Sequence, residues 1–62
     1  MFELKVDPAT RDIEIFSGGR QIATASVANA AQLTLFEALV AGGDPPQAAA
    51  DASGAIYLPV IP

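Results

Sequence analysis

The chain has 62 residues, enough for one domain, and a domain of about 60 residues buries only about 60% of the surface that its unfolded chain exposes. Hydrophobic residues make up 52% of it, and the lack of Cys and His excludes disulfides, thiolate metal sites and the commonest base of neutral-pH catalysis. The net charge of −4 would repel nucleic-acid phosphates, so we expect no nucleic-acid partner.

The first two predicted strands form a β-hairpin. Apolar and charged residues alternate over residues 2–6 and again over residues 12–16, as in strands that bury one face. Residues 7–11 have turn chemistry, because Pro8 presets φ and the Asp7 side chain can bond the backbone beyond it. The buried face is expected to consist of Phe2, Leu4, Val6, Ile13 and Ile15.

A second hairpin follows directly. Phe16 falls on the outward face, where it is either covered by another segment of the chain or offered to a partner. Gly18 and Gly19 suit a tight primed turn, because glycine readily takes positive φ. A third strand is predicted over residues 21–27. Its faces carry Ile22 and Thr24 on one side and Ala23, Ala25 and Val27 on the other, and the small residues allow a helix to pack closely.

The pattern then changes to helical spacing. Asn29 and Gln32 have the form of a capping box, so we expect a helix over residues 30–41. Gly42 and Gly43 form a natural stop after it. The apolar stripe consists of Leu33, Phe36, Leu39 and Val40, and Leu35 lies off it.

Residues 44–54 predict a second, short helix. Asp44 is expected to be its cap and Pro45 its first residue, and Ser53 and Gly54 are expected to end it. The alternative is a flexible Ala/Pro linker, because one or two turns of helix are marginal without packing.

The last eight residues are nearly all apolar, whereas a free C-terminus is normally polar and frayed. Pro59 and Pro62 cannot donate to a strand ladder, which confines the segment to a sheet edge or a groove. It either joins the chain's own sheet or docks on a neighbouring subunit. Tyr57 would suit an interface anchor. The predicted protein-interface residues are Phe16, Ile56, Tyr57, Leu58, Val60 and Ile61.

The predicted fold is α+β, with a three-stranded antiparallel β-meander packed by one main helix, a short Ala-rich helix or loop, and an extended C-terminal arm. We assign residues 1–54 to a small domain and residues 55–62 to the arm or an edge strand. The N-terminus has no signal-peptide pattern, and the apolar stretch 33–41 is too short to span a bilayer. We expect a complete small gene product that is soluble, without a membrane partner, and cytoplasmic or virion-associated.

No constellation of residues predicts catalysis or a bound cofactor. The serines and threonines have no His partner, and the glycines of the second hairpin lack the phosphate-loop pattern. Asp12 and Glu14 share a solvated strand face and are expected to form weak cross-strand pairs with Glu3 and Lys5, each contributing about 0.2–1 kcal/mol. We therefore expect neither an enzyme nor a metal or cofactor site.

The size of the chain favours a protein partner. Domains below about 70–80 residues usually add disulfides, a metal or oligomerisation to a small core. Because the chain has no Cys and no His, oligomerisation or docking is the support that remains. The mean hydropathy of +0.40 agrees with a surface that meets a partner. We expect a structural or assembly subunit of a homo-oligomer or a larger particle, such as a virion or secretion apparatus. The alternatives are a small acidic regulatory binder or inhibitor and an accessory subunit of an enzyme.

Overall fold

A computed structural model describes residues 2–60 as one antiparallel sheet and two helices. The elements are β1 (Phe2–Asp7), β2 (Asp12–Ser17), β3 (Arg20–Ser26), α1 (Ala30–Ala41), α2 (Pro46–Ser53) and β4 (Ile56–Pro59). The strands lie in the order β1-β2-β3-β4. The predicted α+β class and antiparallel sheet are confirmed, and the short helix rather than the linker is observed. The count of three strands is wrong, because the two helices return the chain beside β3, where the predicted arm pairs as β4.

Both hairpin turns form as the sequence predicts. The Ala9 N–H donates to Asp7 Oδ1 at 3.0 Å, which is the local aspartate bond expected at the first turn. Arg11 closes that turn with a φ of 60°. In the second turn Gly18 and Gly19 have φ values of 59° and 81°, as a two-residue primed turn requires, and Ser17 pairs with Arg20 across it.

The core lies between the helices and one face of the sheet, which we call the inner face. Its fully buried large side chains are Ile13, Ile15 and Phe36. The other core residues are Ala23, Ala25, Val27, Ala49 and Ala50. The inward set predicted for β2 and β3 is confirmed. In β1, Leu4 and Val6 pack half-buried against the core, whereas the burial predicted for Phe2 is wrong, since Phe2 is 37% exposed at the end of this edge strand.

Helix α1 begins and ends where the sequence places it. The Gln32 N–H donates to Asn29 Oδ1 at 2.9 Å, and Gln32 Oε1 accepts from the Ala28 N–H at 2.8 Å. The second bond thus reaches one residue further back than in the usual capping box. At the other end, Gly43 has a φ of 104° and its N–H donates to the Val40 carbonyl at 3.1 Å. Among the predicted stripe, Phe36 is buried, and Leu33, Leu39 and Val40 pack half-buried against the core.

Helix α2 starts one residue later than predicted. Its N-cap is Pro45 and its first residue is Pro46, so the cap predicted at Asp44 is wrong. The reason is Pro46, because a residue that precedes a proline is disfavoured in the helical region, and Pro45 accordingly takes an extended ψ of 149°. Gly54 ends α2 with a φ of 81°.

Strand β4 occupies one edge of the sheet and pairs with β3 of the same chain. Tyr57 lies opposite Ala25, and Pro59 lies opposite Ala23. The tail therefore takes the edge-strand alternative over Ile56–Pro59. Within residues 2–60 neither helix is long and apolar enough to cross a membrane.

Candidate protein interface

The face of the sheet opposite the helices, which we call the outer face, is not covered by any segment among residues 2–60. Residues paired across the strands show its chemistry. One row runs through Lys5, Glu14, Thr24 and Leu58, and a second runs through Asp7, Asp12, Ser26 and Ile56. Along these two rows the face changes from charged on β1 and β2, through small polar on β3, to apolar on β4.

The apolar end of this gradient is a line of three side chains. Ile56 is 63% exposed, Leu58 is 60% exposed and Val60 is 45% exposed. Side chains alternate between the faces of a strand, so these three share the outer face while Tyr57 and Pro59 point inward. We call Ile56, Leu58 and Val60 the β4 strip. The exposed fractions of these three residues correspond to on the order of 300 Å² of surface, the lower end of the range for the largest apolar patch on a typical monomer.

The opposite end carries most of the charge. The outer-face residues of β1 and β2, which we call the acidic half, include one cation and four carboxylates: Lys5, Glu3, Asp7, Asp12 and Glu14. Lys5 lies opposite Glu14, as predicted, but the cross-strand pairing predicted for Glu3 and Asp12 is wrong. Glu3 lies opposite Phe16, and Asp12 lies opposite Asp7, which places two like charges side by side. Within residues 2–60 no three of the acids are grouped so that they could hold a metal ion.

Phe16 lies on the outer face of β2, opposite Glu3 of β1. Its ring is half-buried, and Lys5 Nζ lies 5.1 Å from the ring centroid, within the range of a cation–π interaction. The side chain predicted to be either covered or offered is therefore partly covered by Lys5 of the neighbouring strand, and the rest of it faces solvent.

The structure separates the other predicted interface residues. Tyr57 is half-buried on the inner face against the chain's own core, so it is not part of the β4 strip. Ile61 lies outside the described residues. The prediction omitted Ile22, which is half-buried at a β-bulge and lines an open depression together with Val60. The sequence did contain a signal for Ile22, because the strand alternation placed it on the same face as Thr24, which is the outer face.

The open edge of β4 is poor in hydrogen-bond donors. The Val60 N–H donates to the Ile22 carbonyl at 2.8 Å. In an antiparallel ladder this direction alternates along the strand, so the backbone groups of Tyr57 and Pro59 point away from β3. Pro59 has no N–H, which explains why a proline fits here without loss of a ladder bond and also removes a donor from the open edge.

Taken together, the outer face carries an apolar strip on β4 and a negatively charged half on β1 and β2, with β3 between them. A scan with protein-family models gives no match, and neither the comparison with curated proteins nor the comparison with solved structures gives a significant one.

Proposed function

We propose that this chain is a non-enzymatic assembly subunit that docks on another protein chain through the outer face of its sheet. The observation that carries the proposal is the exposure of Ile56 and Leu58 on a face that no segment among residues 2–60 covers. Docking of this kind suits a component of an oligomer or of a larger particle such as a virion.

Burial of the β4 strip against a partner would contribute a substantial part of the free energy of association. Complete burial of an isoleucine or leucine side chain contributes about 1.5–3 kcal/mol. Ile56 and Leu58 each keep more than half of their surface in water, so covering them would contribute roughly 1–2 kcal/mol apiece. Together with Val60, the strip could account for the apolar centre of an interface with a charged rim.

A second candidate function is a regulatory binder that occludes a larger protein. The observation that favours it is the acidic half, which shares the outer face with the β4 strip and is separated from it by β3. The two candidates use the same surface and differ in whether the chain is a permanent part of an assembly.

The test compares two lysine substitutions on opposite sides of the molecule. Leu58→Lys alters the β4 strip, and Leu35→Lys is the matched control, because Leu35 is a leucine of α1 that is also exposed, at 44%. Each variant is expressed with an epitope tag in the source cells, and the extract is sedimented under native conditions. We expect the wild type and Leu35→Lys to sediment in an assembly, and Leu58→Lys to sediment as free chain.

Two outcomes would contradict the proposal: sedimentation of the wild type as free chain, or an equal response to both substitutions. If the wild type leaves its assembly when the extract is diluted and the purified chain stays monomeric, the regulatory candidate is favoured instead.

A further inference from the structure

We infer that the partner of the outer face is a basic protein surface rather than a second copy of this chain, an inference that rests on the proposed function. The partner would place apolar side chains on the β4 strip and Lys or Arg side chains over the acidic half. Three observations on the outer face support this choice: its area, its charge and its edge.

The β4 strip is too small to form a stable interface alone. It exposes on the order of 300 Å², whereas a specific interface buries about 800 Å² on each partner. A partner of ordinary size therefore extends from β4 across β3 onto the strands that carry the acidic half. With strands about 4.8 Å apart, the charged residues of β2 and β1 lie about 10 and 14 Å from β4.

The charge of this wider footprint disfavours a second copy. Four carboxylates and one ammonium give the acidic half a net charge of −3. Two copies that overlap over the whole outer face would therefore bring two such halves into one interface. If the copies shift so that only their strips touch, they bury about 600 Å² in total, which is within the range of accidental crystal contacts.

Edge-to-edge pairing of two β4 strands is the remaining route to a dimer, and it is also weakened. Pro59 points its nitrogen toward the open edge and cannot donate to a second strand. A basic partner avoids the problems of area, charge and edge pairing. Its apolar groups cover the strip, its cations neutralise the acidic half, and it does not need to pair with the open edge of β4.

The probe for the test is a synthetic peptide with the inferred chemistry. It has three apolar residues, a three-residue Gly/Ser spacer that reaches about 10 Å when extended, and three Lys residues; in the control peptide Glu replaces each Lys. Binding to the ¹⁵N-labelled full chain is followed by NMR. We expect the Lys peptide to shift amides of β2, β3 and β4 with a Kd below 1 mM that weakens at least tenfold between 50 and 500 mM NaCl, and the Glu peptide not to bind.

Matched variants separate the local effect from net charge. Glu14→Lys should weaken the Lys peptide at least fivefold, and Glu37→Lys, the same change on an exposed position of α1, should weaken it less than twofold. Leu58→Lys and Leu35→Lys form the corresponding apolar pair. Equal binding of the two peptides, equal effects within either pair of variants, or no binding at 1 mM would overturn the inference.

Sedimentation equilibrium of the purified chain distinguishes this failure from failure of the proposed function. A dimer that Leu58→Lys dissociates would identify the occupant as a second copy, which overturns the inference and leaves the docking function standing. An assembly in the source cells that does not respond to Leu58→Lys would instead refute the docking function itself.

Discussion

Substitution of Phe36 by Ala should remove most of the stability of the fold. Phe36 is fully buried and is the largest such side chain in the core. Phe→Ala in a core costs about 3–5 kcal/mol, because the transfer free energy is lost and a cavity remains. At about 0.05–0.15 kcal/mol per residue, the whole chain has roughly 3–9 kcal/mol of stability. The variant is therefore expected to be marginally folded or unfolded at 25 °C.

The neighbouring Leu35 provides the matched control. It is 44% exposed, so Leu35→Ala should lose about 1 kcal/mol, the part of a leucine's burial that is realised there. Urea unfolding is followed by far-UV circular dichroism and by fluorescence of Tyr57, the single tyrosine in a chain without tryptophan. Coincident transitions in the two signals test two-state behaviour. A loss below about 1.5 kcal/mol for Phe36→Ala, or equal losses for the two variants, would refute the assignment of Phe36 as the centre of the core.

Three further predictions follow from the turns, the cap and the sheet edge. Gly54→Ala should destabilise the chain more than Gly19→Ala, and urea midpoints measure the difference. Both glycines have a φ of 81°, but only at position 54 would the new Cβ meet a neighbour, 3.1 Å from Gln32 Nε2. Asn29→Ala should cost about 1 kcal/mol through loss of the cap bond, while Asn29→Asp keeps an acceptor, and thermal unfolding compares them. Pro59→Ala should change stability by less than about 0.5 kcal/mol but increase light scattering at high concentration, since it restores a donor at the open edge; unchanged scattering would contradict the inferred direction of that nitrogen.

The parts of the fold that were predictable from sequence are those decided within a few residues. The cap between Asn29 and Gln32 spans three positions, and the glycine pair that forms the second hairpin turn is contiguous, so their chemistry is visible in the chain itself. The start of α2 shows the limit of such reasoning. Asp44 has the right side chain for a cap, but the helix begins only after Pro45, which the following Pro46 keeps in extended backbone. Two local signals, the aspartate side chain and the Pro-Pro step, favour starting residues one position apart, and the Pro-Pro step determines the observed start.

The fourth strand was harder to predict because strand pairing is a long-range choice. Apolar β-branched residues and Pro59 are compatible with an edge strand of this sheet, of another subunit's sheet, or with a groove. The outcome depends on two helices that turn the chain back toward β3. The position of Tyr57 follows from the same register, which directs it to the core and leaves Leu58 outside. Composition alone therefore predicted an interface segment without indicating which of its residues face the core and which face solvent.

The reason to expect a partner is also more specific than the apolar content of the chain. The accessible surface is 3968 Å², close to the roughly 3,700 Å² typical of a monomer of 6.3 kDa. The chain is therefore about as compact as a protein that functions alone, despite its hydrophobic composition. What is unusual is the distribution, with three large aliphatic side chains in one line at one edge of the outer face.

Stability alone does not account for that line. Threonine has a comparable preference for strands, and at a position more than half exposed it would keep most of the strand's packing while leaving less apolar surface in water. Ile56 and Leu58 therefore contribute little to the fold that a polar β-former would not supply, and they carry the solubility risk of an exposed edge. This exposure without a matching gain in folding is the argument for the proposed partner, and the carboxylates of β1 and β2 on the same face are the argument for its inferred basic character.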